Sequence, residues 1–96
     1  MIDSLPFPRL KLSNENGLFE QIAHIETEMD EVRDAYCSEP IERVAEEIAD
    51  MMVSCKTALD IIERTHGIHP LDVMVRVHDK NRRRGYESDQ TTLPAL

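Results

Sequence analysis

Between Leu18 and Gly67 the chain reads LFEQIAHIETEMDEVRDAYCSEPIERVAEEIADMMVSCKTALDIIERTHG, and its only interior proline or glycine is Pro40. Before Pro40, the apolar residues Leu18, Ile22, Ile25, Met29, Val32 and Tyr36 recur at spacings of four and three. That spacing lines one face of a helix. After Pro40, Ile41, Val44, Ala45, Ile48, Met51, Met52, Cys55, Leu59 and Ile62 form a second helical stripe of about seven turns. Ser13, Asn14 and Asn16 offer cap side chains before the first helix. Pro40 suits the first position of the second, with Ser38 or Glu39 as its cap. Gly67 follows Arg64 and His66, as a terminating glycine should.

Working outward, Pro70 opens a third helical segment with Leu71, Met74, Val75 and His78 on its apolar face. It ends in Lys80-Asn81-Arg82-Arg83-Arg84 and stops at Gly85. Residues 1–13, with Pro6-Phe7-Pro8, read as an extended N-terminal arm, and residues 87–96 as a loose C-terminal tail. No segment alternates with period two, so the fold class is all-α, in a single domain over residues 1–96. The five methionines fall at apolar helical positions or near the termini and read as core filler. His66 and His69 straddle Gly67 and read as caps or surface residues.

Composition removes several functions. No apolar run approaches the length of a membrane span, and Met1–Lys11 lacks the pattern of an export signal. A cytoplasmic protein with two free thiols, Cys37 and Cys55, is expected. A formal charge of −8 argues against a general nucleic-acid binder. A chain of 96 residues buries only about 60–65% of its unfolded surface, so self-association is expected.

Four carboxylates carry the chemistry. Glu28 and Glu31 are three apart on the first helix, and Glu47 and Asp50 are three apart on the second. Each pair projects to one side, on the flank of its apolar stripe. If the helices pack antiparallel, the four converge at one edge of the seam. Converging carboxylates repel unless a cation sits among them, and all-oxygen donors select Mg²⁺, Mn²⁺ or Ca²⁺. Either pair alone reads more simply as a solvated acidic face. The basic run ending at Arg84 has two readings as well: a complement to the helix dipole, or a phosphate clamp.

The order of these pieces resembles the MazG-like nucleoside triphosphate pyrophosphohydrolases of the all-α NTP pyrophosphatase superfamily. The pieces are Glu28-Met29-Asp30-Glu31, Glu46-Glu47-Ile48-Ala49-Asp50, Gly67-Ile68-His69-Pro70 and Lys80-Asn81-Arg82-Arg83-Arg84-Gly85-Tyr86, and the resemblance spans about residues 18–86. It implies that Glu28, Glu31, Glu47 and Asp50 hold Mg²⁺, with Mn²⁺ as a substitute, and act in catalysis. It implies that Lys80, Asn81 and Arg84 contact the triphosphate or nucleotide, from the same or a neighbouring subunit. With no tryptophan, Phe19, Tyr36 or Tyr86 would have to stack on the base. Family members often carry a second Glu directly before the first ligand; here Thr27 stands there. The implied assembly is a homodimer with a four-helix-bundle core, or a pair of such dimers. The implied reaction converts a (deoxy)nucleoside triphosphate to the monophosphate and pyrophosphate, in nucleotide-pool house-cleaning. The alternatives are a phosphoribosyl-ATP- or dUTP-type pyrophosphatase of the same superfamily, and a non-catalytic helical interaction module.

Overall fold

Every regular element among the described residues is a helix. The computed structural model describes Phe7 and residues 9–86, in the order α1 Leu12–Glu15, α2 Leu18–Ser38, α3 Ile41–His66 and α4 Pro70–Arg83. The C-terminal tail expected from Glu87 onward lies outside the described residues, as do residues 1–6 and Pro8 of the arm. None of the helices is long and apolar enough to cross a membrane.

The breakers act much as their chemistry requires. Glu39 and Pro40 are both extended, which ends α2 and turns the chain sharply into α3. Pro40 is the residue that precedes α3 rather than its first helical residue, and its carbonyl accepts from the amides of Arg43 and Val44. No side chain caps α3; Ser38 instead donates to the carbonyl of Asp34 within α2. Gly67 ends α3 in the left-handed conformation, with φ of 73°, where any Cβ would be strained. His69 caps α4 by accepting from the Leu71 amide at 3.1 Å, and Pro70 takes the first turn.

Two expectations fail at the N-terminus. Residues 12 and 13 are not extended but belong to the short helix α1. None of Ser13, Asn14 and Asn16 caps α2, whose N-cap is Gly17 without a side-chain bond. Ser13 is buried and donates to Leu10, and Asn16 donates its side-chain amide to Gln21. The loop around α1 is held by α3. Arg64 donates from Nε to the Ser13 carbonyl and from Nη2 to the Asn16 carbonyl, each at 2.8 Å.

α2 and α3 pack as an antiparallel hairpin, α1 lies on α3, and α4 also packs on α3. The less exposed side chains of the hairpin include Leu18, Gln21, Ile25, Glu28, Val32 and Ala35 from α2, with Val44, Glu47, Met51, Ser54, Ala58 and Ile61 from α3, and Gln21 and Glu28 bond Ser54 across the seam. The fully buried apolar core is therefore small: Ala35, Val44, Ala58 and Ile61. Buried polar residues surround it, and no buried side-chain polar atom among the described residues lacks a partner. The apolar stripes read from the sequence split in two. Ile22, Met29, Tyr36, Ile41, Ile48 and Met52 face outward, together with Phe19. Met29, Met52 and Met74 are exposed, so the methionines are largely surface residues and not core filler.

The lower half of α3 carries a buried ion pair. Lys56 Nζ donates to both oxygens of Asp60, at 2.7 and 2.8 Å, and both side chains are almost wholly out of water. Arg9 lies 3.6 Å from Asp60 and pairs with Glu63 at 2.6 Å, fastening the arm over this site. Removing Lys56 leaves the buried Asp60 with only the more distant, half-exposed Arg9 as a counter-charge. Lys56→Met is expected to cost about 3–5 kcal/mol in urea unfolding, while Lys56→Met combined with Asp60→Leu recovers most of the loss.

Candidate functional site

The α2–α3 seam places acidic side chains where solvent begins. Glu28 lies on α2 opposite Glu47 and Asp50 on α3, and one carboxylate oxygen from each of the three lies within 4.8 Å of the others. Glu28 and Glu47 are half-buried and Asp50 is exposed. Glu31, expected as a fourth member, is not part of this close group. Its carboxyl lies within hydrogen-bonding reach of the Glu47 carboxyl and pushes that group up through both charge and this contact.

Each member is held differently. Glu28 Oε1 accepts from the Ser54 hydroxyl at 3.1 Å and lies 3.0 Å from His24 Nε2. Glu47 Oε1 accepts from Arg43 Nη2 at 3.1 Å, and the same guanidinium pairs with Glu46. The Glu47 carboxyl is pushed above its ordinary value, first by loss of solvent and then by the charge of Glu31; Arg43 pulls it back, and Asp50 pushes it up less strongly. Thr27, standing where the resemblance calls for another Glu, donates to the carbonyl of Ala23 and takes no part.

The donor set is carboxylate oxygen throughout, gathered at a half-open seam. That chemistry suits a small hard cation such as Mg²⁺ or Mn²⁺. Like charges gathered there raise Glu47 further, after the larger effect of its loss of solvent.

The basic residues lie elsewhere. Lys80 and Asn81 sit in the last turn of α4, Arg84 ends it, and Tyr86 follows Gly85. α4 packs on α3 and makes no contact with α2 among the described residues. No hydrogen bond or ion pair joins Lys80, Asn81, Arg84 or Tyr86 to the acidic group within one described chain. A shallow groove at this end of α4 is lined by Asp79, Arg82 and Arg83. Of the aromatic candidates, Phe19 and Tyr36 lie on the outward face of α2.

Sequence reasoning missed Gln21, His24 and Ser54. Gln21 is buried on α2 and donates to the Ser54 carbonyl at 3.0 Å. The available signal was a polar residue at an inward helical position, at residues 21 and 54 alike. Compared with known proteins, the chain matches no family model, no curated protein and no solved structure.

The raised value at Glu47 has a signed consequence for the metal-free protein. A carboxyl raised above the ordinary 4.5 favours the fold when protonated, so its contribution is fully present below that pH and is lost as pH rises through the folded value. Glu47→Gln is therefore expected to melt higher than the parent at neutral pH, with the difference closing in acid. Melting temperatures of both proteins from pH 3 to 8 in chelator check this.

Proposed function

We propose that this chain is a Mg²⁺-dependent nucleoside triphosphate pyrophosphohydrolase of the MazG-like kind, working in the nucleotide pool of the cytoplasm as a homodimer. The observation that carries the reading is the meeting of Glu28, Glu47 and Asp50 oxygens across the α2–α3 seam. These residues come from the E-x-x-E and E-x-x-D pairs that the resemblance assigns to metal binding.

Glu28, Glu47 and Asp50 would hold Mg²⁺, or Mn²⁺ in its place. When bound, the ion offsets phosphate charge and lowers the pKa of water at the site. The reaction is a nucleoside triphosphate plus water giving the monophosphate and pyrophosphate, with the bond between the α-phosphorus and the bridging oxygen broken. Glu31, outside the close group, is the carboxylate left to accept the water proton. Lys80 and Arg84 stabilise charge on the departing pyrophosphate, with Asn81 and Tyr86 on the nucleotide. Among the described residues no hydrogen bond or ion pair joins these side chains to the acidic group within one chain, and the reading has a second copy supply them.

The outward apolar face supports that second copy. Phe19 is 85% exposed, Tyr36 76% and Ile41 68%, while the buried apolar side chains among the described residues are few. On a wheel of about 100° per residue, the outward stripe lies roughly 90° from the buried face on α2 and roughly 120° from it on α3. The helices run antiparallel, so both rotations carry the stripes to the same side of the hairpin. Two hairpins joined through that side make a four-helix bundle.

Two experiments test the reading. Pyrophosphate release from a panel of NTPs and dNTPs with Mg²⁺ is expected from the parent and absent from Glu47→Gln. A panel that includes dUTP and phosphoribosyl-ATP identifies the member of the superfamily, and silence across it with no Mg²⁺-dependent rise in melting temperature leaves the interaction module. For the assembly, Ile48→Glu with Met52→Glu is expected to convert a dimer to a monomer in sedimentation. A parent chain that sediments as a monomer at tens of micromolar would sink the homodimer.

A further inference from the structure

The serine and threonine hydroxyls in these helices follow a common habit, with one departure. Thr27, Ser38, Thr57 and Thr65 each donate to the carbonyl four residues earlier in their own helix, and Ser13 to the one three residues earlier. Ser54 instead reaches across the seam and donates to Glu28 Oε1 at 3.1 Å. Its own carbonyl is gripped by Gln21 Nε2 at 3.0 Å. Two residues of α2, seven apart and so on one face, hold Ser54 by its two polar ends. His24, between them on that face, brings Nε2 to within 3.0 Å of the same Glu28 oxygen.

We infer that Ser54, aided by His24, is a positioning residue that fixes one oxygen of Glu28 so that the other stays available to a cation shared with Glu47 and Asp50. The inference rests on the metal-site reading above. Ser54 lies one helical turn after Asp50, and His24 one turn before Glu28. In an antiparallel pair these are the same level, so the two donors form a floor beneath the carboxylates. A glutamate has a long side chain with many rotamers, and donors that hold it before binding reduce what the cation must order. Donors behind a ligand of this kind are typically worth about 10–100-fold in metal affinity. Ser54 is itself buried, and its backbone is tied to α2, so the donor cannot drift with solvent.

The test uses the full chain and Mn²⁺ alone, with free Mn²⁺ read by electron paramagnetic resonance during titration. Ser54→Ala is expected to weaken Mn²⁺ binding by about 10-fold or more, with the metal-free melting temperature little changed. Ser54→Thr, which keeps the hydroxyl, is expected to restore binding. His24→Ala, at an exposed position that tolerates change, is expected to weaken binding in the same direction and serves if Ser54→Ala does not fold. Parent-like affinity in Ser54→Ala and His24→Ala, alongside loss in Glu47→Gln, overturns the positioning role and leaves the metal site standing. A loss in Ser54→Ala that Ser54→Thr does not recover assigns the effect to packing and also overturns it. No saturable Mn²⁺ binding by the parent chain removes the metal-site reading and this inference together.

Discussion

The arrangement of this molecule depends on one buried amide. Gln21 lies almost wholly out of water on α2, donates to the Ser54 carbonyl on α3, and accepts from Asn16 through its oxygen. Leaving either end of a buried amide unsatisfied costs about 1–3 kcal/mol. Apolar contacts between helices tolerate small slides, because one methyl group is much like another. A hydrogen bond at 3.0 Å does not. This contact therefore sets the register of the hairpin, and the register sets what meets across it. Two turns further along α2, Glu28 arrives opposite Glu47 and Asp50. The acidic group is thus a consequence of a neutral contact some distance away.

The hairpin has two unlike long sides. One presents Phe19, Ile22, Met29 and Tyr36 beside Ile41, Ile48 and Met52. The other is where the carboxylates emerge. Between them lies a thin core in which the polar side chains are satisfied by one another or by the backbone, as Lys56 is by Asp60 and Thr57 by the Val53 carbonyl. A polar interior of this kind contributes little net free energy, since each bond replaces one to water. It does penalise wrong arrangements, because each misplaced group would lose its partner. The design favours specificity of packing over depth of stabilisation.

The number of long helices and their ends were legible in the sequence, since three glycines and five prolines leave few places for a helix to stop. The carboxylate spacing was legible too, for the same geometric reason. Three features were not. A stripe at spacings of three and four does not say which of two neighbours each apolar residue faces, so Ile22 and Met29 read like Ile25 although only Ile25 lies toward the seam. Glu28 and Glu31 share a spacing with Glu47 and Asp50, yet only Glu28 joins the close group while Glu31 lies against Glu47, a difference that spacing alone does not carry. Gln21, Ser54 and Lys56 carry polar side chains that composition assigns to the surface, and only their partners on another turn or helix reveal why they are inside. The helix α1 was invisible because one turn has no pattern of its own.

That short helix bears on the order in which the chain assembles. A four-residue helix does not persist alone, since nucleation costs more than one turn returns. Here α1 is finished by Arg64, whose guanidinium collects the Ser13 and Asn16 carbonyls from about fifty residues away. The α2–α3 hairpin closes through a two-residue turn, so its contacts near Pro40 form at small entropic cost, while those of Arg64 with the N-terminal loop close a far longer one. On a ribosome, residues 12–16 must therefore wait for the end of α3 before they have anything to fold against.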